Sequence, residues 1–471
     1  MWFWRGPFLE RCTNQGLNNM KQPVIEYFLE QFLKTKYSPA LAYRNELYSF
    51  GWLLNSVETE EAHLAANGIG IGSVVILISD YTPQTVAVLL ALIKLKAIII
   101  PVLPGVLERS KNILEVTSPQ FSVSVTFDGG VQTFSLQASK KDIPLIETLK
   151  QRKSAGLILF TSGSTGKPKA VVHDFSLLLE KFRVPRTALV TLNFLLFDHW
   201  GGLNTLLHGL SNCVLVVLPE RRAPEYICDL IEKHGVELLP ATPTFLNMLL
   251  LSHRWKRGNL RSLKIISYGA EPMPDNTLKG LRKAFPDVDL RQTYGLIELG
   301  VLRAKSRDAD SLWVKLGGEG YDLRVIDGIL QIKADAAMLG YLNAPSPVTD
   351  DGYFITGDQV EVDGEYFRIL GRATDLINVG GEKVFPSEIE TVLLSISNIK
   401  DAVVYGESHP MMGKIVCANV MLNQEEPAQE LRIRLKKACK EKLESFKVPV
   451  KINIVTDGLY TDRMKRVRST Q

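Results

Sequence analysis

The chain has 471 residues, 45% hydrophobic and 23% charged, with a net charge of +4 at pH 7, which is typical of a globular protein of more than one domain. Lys94 and Lys96 interrupt its longest apolar run, residues 86–102, so we expect no membrane span. No long apolar segment with a small-residue cleavage site follows residues 1–7, so a cytoplasmic location is the simplest expectation. The five cysteines lack the paired spacing of a metal site or a disulfide framework, which favours buried thiols.

Patterned sequence begins near Gln22, which makes Met20 a candidate start. The first clear structural signal is a strand, a helix and a second strand. Residues 73–78 and 97–102 are apolar and predict buried strands, and residues 82–94 have apolar side chains at helical spacing. Elements in this order form a βαβ unit, so we expect a layered α/β domain.

A loop rich in glycine, hydroxyl and lysine side chains follows a short buried strand predicted at residues 157–160. Its sequence is Thr161, Ser162, Gly163, Ser164, Thr165, Gly166, Lys167, Pro168 and Lys169. The glycines permit backbone conformations that turn successive N–H groups toward one point, and the lysines add positive charge. We therefore predict a polyphosphate site. The loop differs from the commonest nucleotide-binding loop because a proline follows its first lysine.

Further strands end in short loops of polar or small residues. Residues 236–240 and 264–268 predict buried strands, which lead into the loops 241–244 and 269–272. The segment 292–298 ends in Glu298, a carboxylate of the kind that binds a hard cation such as Mg²⁺.

The C-terminal third begins with a predicted hairpin. Residues 322–326 and 329–333 are its strands, with the turn at Asp327-Gly328. Further on we predict a helix, two strands and a longer helix, at residues 387–395, 401–405, 415–422 and 428–443. Residues 431–471 contain 12 Lys and Arg against 4 Asp and Glu. They lack the interleaved aromatic residues of a nucleic-acid groove, so we expect no nucleic-acid partner.

In their order, these motifs resemble the adenylate-forming enzymes, which include acyl- and aryl-CoA synthetases, luciferases and the adenylation domains of peptide synthetases. The resemblance rests on the loop 161–169, on Tyr294-Gly295-Leu296-Ile297-Glu298, on Thr356-Gly357-Asp358, and on the run from Gly371-Arg372 through Gly380-Gly381. It implies an α/β fold with a large N-terminal layered α/β domain, residues 1–370. A small mobile α+β domain, residues 371–471, would follow a hinge near Ala373 and Thr374 and carry the catalytic lysine.

The resemblance also implies the site residues. The catalytic residues would be Lys465, Glu298, Thr165 and His199, with Glu298 and Thr161 at the metal. The ATP-binding residues would be Thr161, Ser162, Gly163, Ser164, Thr165, Gly166, Lys169, Gly269, Ala270, Glu271, Thr293, Tyr294, Gly295, Asp358 and Arg372, with Tyr294 against the adenine and Asp358 on the ribose. The acid pocket would include His199, Trp200, Gly201, Thr242 and Tyr268, and Gly380 and Gly381 would let a pantetheine arm pass.

The function that the resemblance implies is the ATP-dependent activation of a carboxylic acid as acyl-AMP, with transfer of the acyl group to a thiol. ATP, Mg²⁺ and CoA would be the cofactors, and residues 446–449, Gly380-Gly381 and His199 favour CoA as the acceptor. An alternative is a stand-alone enzyme that loads the phosphopantetheine of an acyl or peptidyl carrier protein, which the basic tail also suits.

Two other interpretations stay open. Asp198 would suit an amino-acid substrate, and a lone histidine such as His199 is often a core residue. The chain also departs from the family pattern at Ile98, Ile297, Thr374 and Met464, and the last three make a non-catalytic nucleotide-binding module conceivable.

Overall fold

The structure is a computed structural model, and it describes residues 22–109, 112–137, 142–161, 168–308, 311–456 and Leu459. The chain forms two compact units. The first unit comprises Met1–Glu220, Ile297–Gly300 and Asp335–Ser346. The second unit comprises Arg221–Leu296, Val301–Ala334 and Pro347–Gln471.

Helices and strands alternate along most of the chain. The strands are β1 (Pro39–Tyr43), β2 (Glu46–Ser49), β3 (Val74–Ile78), β4 (Ile98–Val102), β5 (Phe121–Val125), β6 (Val131–Ser135), β7 (Gly156–Phe160), β8 (Ala170–Asp174), β9 (Thr191–Leu192), β10 (Val216–Leu218), β11 (Leu238–Ala241), β12 (Ile265–Tyr268), β13 (Asp289–Gln292), β14 (Tyr294–Leu296), β15 (Gly300–Ser306), β16 (Trp313–Gly317), β17 (Tyr321–Ile326), β18 (Ile329–Ala334), β19 (Gly340–Tyr341), β20 (Phe354–Asp363), β21 (Tyr366–Arg372), β22 (Ile377–Val379), β23 (Glu382–Val384), β24 (Ile399–His409), β25 (Gly413–Leu422) and β26 (Lys451–Ile454). The α-helices are α1 (Val24–Lys34), α2 (Phe50–Ala66), α3 (Pro83–Lys94), α4 (Val106–Arg109), α5 (Asn112–Thr117), α6 (Pro144–Arg152), α7 (Phe175–Leu179), α8 (Trp200–Ser211), α9 (Pro224–His234), α10 (Pro243–Ser252), α11 (Asp275–Ala284), α12 (Pro386–Leu394) and α13 (Ala428–Lys442).

The first unit contains a seven-stranded sheet in the order β19-β8-β7-β4-β3-β5-β6. The predicted βαβ unit is confirmed as β3, α3 and β4, whose strands pair in parallel. The side chain of Thr82 caps α3 by accepting a hydrogen bond from the N–H of Thr85, which satisfies one of the unpaired donors at a helix start. Strands β7 and β8 form an antiparallel pair, so the loop 161–169 joins two neighbouring strands. In the same unit, β9, β10, β1 and β2 are neighbours in that order.

The second unit contains three parallel strands, β11, β12 and β13, that end at the same edge. Ala241 lies opposite Tyr268, and Tyr268 lies opposite Gln292. The two strands predicted in this region are confirmed, with β11 displaced by one to two residues from residues 236–240. Because the carboxyl ends are in register, the three loops that follow these strands begin side by side.

A second sheet of this unit has the order β14-β15-β16-β21-β20-β18-β17. The predicted hairpin is confirmed as β17 and β18, with Asp327 and Gly328 at φ of 51° and 75°, the left-handed conformation that a two-residue hairpin turn requires. Strands β20 and β21 place Asp358 directly opposite Arg372.

The C-terminal region is a sheet of β22 to β26 with α12 and α13 packed on its apolar face. Buried side chains of this core include Ile389, Val404, Val416, Leu435 and Ile452. The elements predicted for this region are confirmed, although β24 extends to His409, four residues beyond the predicted end. The extension carries Glu407, Ser408 and His409, whose polar side chains lack the apolar alternation used to predict strands. The domain boundary after residue 370 stays a prediction.

In the part of the chain that the structure describes, no helix has both the length and the apolar character that a membrane crossing needs. Cys228, Cys417 and Cys439 are buried thiols as predicted, and Cys213 is partly exposed.

Candidate active site

The ends of the predicted phosphate loop are joined by two hydrogen bonds. The N–H of Thr161 donates to the carbonyl of Lys169 at 2.9 Å, and the Thr161 hydroxyl accepts from the N–H of Lys169 at 3.3 Å. The predicted ligands between them, Ser162, Gly163, Ser164, Thr165 and Gly166, lie outside the described residues, as does Lys465. Strands β7 and β8 therefore hold both ends of a nine-residue loop at one point.

A tyrosine connects this loop with the predicted metal ligand. The ammonium of Lys169 lies 5.1 Å from the ring centre of Tyr341, within the range of a cation–π interaction. The hydroxyl of the same tyrosine donates to Oε1 of Glu298 at 2.7 Å. The first unit thus brings Lys169 and Glu298 together although 129 positions of sequence separate them. Tyr341 is therefore a candidate site residue, although its own sequence neighbours do not indicate it.

Asn343 fixes the loop on its other side. Its Oδ1 accepts from the N–H of Ala170 at 2.9 Å, and its Nδ2 donates to the carbonyl of Pro168 at 2.9 Å. Both bonds span more than 170 residues of sequence, so no local pattern could indicate them. The segment around β19 is therefore part of the loop's support.

A buried histidine holds the backbone beside Glu298. Nε2 of His173 lies 2.7 Å from the carbonyl oxygen of Ile297, and because a carbonyl only accepts, Nε2 carries the proton. Burial lowers the pKa of His173 to about 4, so the imidazole is neutral at pH 7. The N–H of Met338 donates to the carbonyl of Glu298 at 2.8 Å. Side-chain and backbone bonds together fix the position of the Glu298 carboxylate.

The second unit brings together Tyr294, Asp358 and Arg372. Tyr294 donates from its hydroxyl to Oδ2 of Asp358 at 2.6 Å, and Nε of Arg372 lies 2.8 Å from Oδ1. Tyr294 and Asp358 are 7% and 6% exposed. Burial, and then the Asp358 carboxylate, raise the pKa of Tyr294 well above its usual range, so the phenol stays a donor. Two donors thereby set the orientation of the carboxylate.

In the turn after β12, the backbone of Gly269 packs closely against Thr293. A Cβ on Gly269 would lie 2.5 Å from Oγ1 of Thr293, so only glycine fits. Thr293 donates from its N–H and its hydroxyl to the carbonyl of Tyr268, at 2.7 and 3.1 Å. Ala270 follows in the left-handed conformation, with φ of 69°, and is exposed.

Glu271 and Thr242 both satisfy donors at the start of α10. Oε1 of Glu271 accepts from the N–H of Thr244 at 2.7 Å, and the Thr242 hydroxyl accepts from the N–H of Phe245 at 3.2 Å. Tyr268 is 2% exposed. The assignments of Thr242 and Tyr268 to the acid pocket stay predictions.

His199 is the N-cap of α8. Its Nδ1 accepts from the N–H of Gly201 at 3.1 Å, which places the proton of the neutral ring on Nε2. Gly202 has no room for a side chain, since an added Cβ would clash with the carbonyl of Leu196. Trp200 follows at the first helical position and is 2% exposed. The predicted acid-pocket residues of the first unit therefore share one helix start.

Gly380 and Gly381 form the turn between β22 and β23, with φ of 61° and 100°. The N–H of Gly380 donates to the carbonyl of Met412, and the N–H of Gly381 donates to Oδ1 of Asn378, each at 2.9 Å. The conformation accounts for the glycines without any ligand, so their assignment to a pantetheine arm stays a prediction.

Comparison with known proteins identifies the family. Residues 28–320 match the family described as AMP-binding enzyme, and residues 388–463 match its C-terminal domain. The chain is 26% identical to a 2-succinylbenzoate–CoA ligase of Bacillus pumilus, over 93% of this chain and 95% of the relative. It is 27% identical to an indoleacetate–CoA ligase of Aromatoleum aromaticum, over 79% of this chain and 83% of the relative.

Solved structures show the same fold. A crystal structure of the anthranilate CoA ligase AuaEII in complex with anthranoyl-AMP has a TM-score of 0.79 at 19% identity and covers 95% of each chain. ATP-bound MatB from Rhodopseudomonas palustris has a TM-score of 0.75 at 20% identity, over 93% of this chain and 96% of that one. The predicted α/β fold class with a large N-terminal and a smaller C-terminal domain is confirmed, and so is the class of AMP-forming acid–thiol ligase. The chain belongs to the AMP-binding enzyme family.

Proposed function

We propose that this protein activates an aromatic or other apolar carboxylic acid with ATP and transfers the acyl group to CoA, in the cytoplasm. The observation that carries the proposal is the connection from Thr161 and Lys169 through Tyr341 to Glu298. It supports a phosphate loop and a metal carboxylate at one site. The named relatives act on 2-succinylbenzoate and indoleacetate, which supports an aromatic acid.

The chemical problem in the first step is the meeting of two anions. The substrate carboxylate attacks the α-phosphate of ATP, and pyrophosphate leaves. The acyl group then carries AMP, a good leaving group, where the free carboxylate would have to lose an oxide. Negative charge builds on phosphate oxygens as this happens. N–H groups and hydroxyls of the loop, Lys169 and Lys465 would stabilise that charge.

Glu298 fits a magnesium site in which the phosphates of the nucleotide supply the remaining ligands. Mg²⁺ prefers oxygen ligands and is commonly held by one or two carboxylates together with phosphate oxygens and water. In the described residues there is no cluster of three or more His, Cys, Asp or Glu side chains that could bind a metal alone. Glu298, together with the Thr161 hydroxyl of the same unit, would hold the ion, which would supply charge neutralisation on the phosphates.

Asp358, in the second unit, would bind the ribose of the nucleotide. Its two oxygens are oriented by Arg372 and Tyr294, so the carboxylate is preorganised to accept from sugar hydroxyls. The turn at Gly269 and Ala270, where no side chain fits at position 269, would receive the adenine. In the second step, a rotation near Thr374 would exchange Lys465 for the glycine turn at Gly380, past which the thiol arm would enter.

A panel of fatty, aromatic and amino acids in a pyrophosphate-exchange assay tests whether the protein adenylates an acid. Exchange with one class of acid is expected, and exchange with none would overturn the proposal. Incubation with ATP and either CoA or a carrier protein then identifies the acceptor. The second candidate, loading of a carrier protein, is favoured by the basic C-terminal segment and would be indicated by acylation of the carrier alone.

The role of Lys465 is tested by separating the two steps. Lys465→Ala should lower acyl-adenylate formation by about 10²- to 10³-fold, the usual effect of losing one charge-stabilising donor. Thiolysis of a supplied acyl-adenylate should be retained. Lys440→Ala, which removes an exposed lysine of α13, is the matched control and should change neither step. Equal loss of both steps in Lys465→Ala would show that the lysine is wrongly assigned.

A further inference from the structure

Strand β6 lies at one end of the seven-stranded sheet in the first unit, and its outer edge has no neighbouring strand. In the part of the chain that the structure describes, β6 pairs with β5 alone. A free strand edge presents a row of N–H and C=O groups to any strand that can pair with it. The outer edge of β6 is therefore a candidate interaction surface.

Hydrogen bonds at the two ends of the β5–β6 hairpin show which residues face this edge. The N–H of Thr126 donates to the carbonyl of Gly130 at 2.9 Å, and the N–H of Leu136 donates to the carbonyl of Gln120 at 2.8 Å. Because bonding alternates along an antiparallel pair, the even-numbered residues of β6 turn their backbone groups toward β5. The backbone groups of three residues face outward instead: Val131, Thr133 and Ser135.

Edge strands usually carry features that prevent pairing with another chain, and β6 has none of them. The usual features are charged side chains, proline and bulges. Residues 131–135 include no charge and no proline, they pair with β5 without a shift in register, and Phe134 is 55% exposed. Strands β2, β13 and β17 also end sheets, and each of them carries charged residues, which are Glu46, Asp289, Arg291, Asp322 and Arg324.

A buried hydroxyl indicates which strand would pair with this edge. Oγ1 of Thr133 is buried and has no hydrogen-bond partner within the described ranges. Thr133 is also the middle one of the three outward-facing residues. A second copy of the chain, paired antiparallel about this position, would place its own Thr133 directly opposite, and two threonine hydroxyls in that position can bond to each other. The edge is therefore complementary to itself.

We propose that the outer edge of β6 is an interface between two copies of this chain, which pair antiparallel about a twofold axis at Thr133. In this register Val131 of each copy lies opposite Ser135 of the other, so all three outward-facing residues exchange backbone hydrogen bonds. Pairing brings no like charges together, because residues 131–135 are uncharged. On the exposed face, Phe134 of each copy would lie opposite Gln132 of the other.

The interface would be small, since each copy contributes one strand of five residues. Small interfaces are typical of weak or transient complexes, so we expect a dissociation constant in the micromolar range. The inference does not depend on the proposed function, because β6 contains none of the candidate site residues.

Sedimentation equilibrium of the full chain, over a range of micromolar concentrations, tests the proposal. We expect the wild type to show a reversible equilibrium between monomer and dimer. Thr133→Pro removes the outward N–H at the axis but no bond to β5, so it should weaken the dimer by about tenfold or more. Phe134→Lys adds a charge to the edge strand of both copies and should weaken the dimer as well. Leu47→Lys, at an exposed apolar residue of β2, is the matched control and should leave the equilibrium unchanged.

A pair of cysteines tests the register. Gln132 of one copy and Phe134 of the other would form a non-hydrogen-bonded pair, whose Cα atoms are about 4.5 Å apart, a separation that a disulfide can span. The double variant Gln132→Cys, Phe134→Cys should therefore give a covalent dimer on oxidation. Gln132→Cys alone should not, because position 132 does not lie opposite itself in this register.

A wild type that is monomeric at every concentration would overturn the proposal, and so would a dimer that persists in both Thr133→Pro and Phe134→Lys. If the wild type dimerises but the double cysteine variant gives no covalent dimer, the axis at Thr133 is wrong. Phe134 is exposed, so Phe134→Lys should unfold at the same urea concentration as the wild type, which separates loss of the dimer from loss of the fold.

Discussion

Protonation of His173 should make the protein less stable below pH 6.5. The side chain is 1% exposed, and burial lowers its pKa from 6.5 to about 4. Because the folded pKa lies below the unfolded one, the fold favours the neutral ring. The stabilisation is therefore complete above pH 6.5 and is lost as the pH falls toward 4. A difference of about 2.5 pH units corresponds to about 3 kcal/mol in all, of which about 2 kcal/mol is lost by pH 5.

Urea unfolding at pH 7.5, 6.5, 5.5 and 5.0 measures this dependence. The variants His173→Leu and His173→Gln cannot titrate, so the fall in unfolding free energy between pH 7.5 and 5 should be about 2 kcal/mol smaller in both than in the wild type. They differ in one respect, because glutamine can still donate to the carbonyl of Ile297 and leucine cannot. At pH 7.5 the leucine variant should therefore be the less stable, by about 1 to 3 kcal/mol for the unpaired carbonyl. An equal fall in all three proteins would refute the reasoning.

Three further substitutions test the other parts of the site. Tyr294→Phe removes a hydrogen-bond donor to buried Asp358 and should lower the free energy of unfolding, measured in urea, by about 1 to 3 kcal/mol. The same variant should have a raised KM for ATP in pyrophosphate exchange. Gly269→Ala places a methyl group against Thr293 and should weaken binding of a fluorescent ATP analogue at least tenfold; unchanged affinity would contradict the assigned adenine surface. Thr374→Pro should spare acyl-adenylate formation and slow thioester formation, and an unaffected thioester rate would argue against a domain rotation at this position.

Local patterns predicted most of the fold. The βαβ unit follows from apolar runs of the right length, and the hairpin turn at Asp327-Gly328 follows from two residues that tolerate positive φ. Both signals lie within a few residues of the structure they specify. The outer half of β24 could not be predicted in this way, because hydrogen bonds to β25 set its length and its side chains are polar.

The residues that support the candidate site could not be predicted either, because their hydrogen-bond partners are distant in the sequence. His173, Tyr341 and Asn343 contact partners between 43 and 175 positions away in sequence, and their own neighbours give no sign of it. The family resemblance indicated Glu298 because that residue belongs to a local motif. It gave no indication of Tyr341, which lies in a two-residue strand of its own.

The departure at Ile297 is the strongest argument for a non-catalytic protein, and the structure weakens it. Isoleucine removes a hydroxyl next to Glu298, but the carboxylate accepts instead from the Tyr341 hydroxyl at 2.7 Å. The backbone of residue 297 is held by His173, through a carbonyl that every residue type has. The support of Glu298 therefore does not depend on a threonine at position 297, and the loss of that side chain is compatible with the role at the metal that we propose for Glu298. We therefore expect Tyr341→Phe to lose adenylation activity and Ile297→Thr to retain it, because only the first change removes a hydrogen bond to the Glu298 carboxylate.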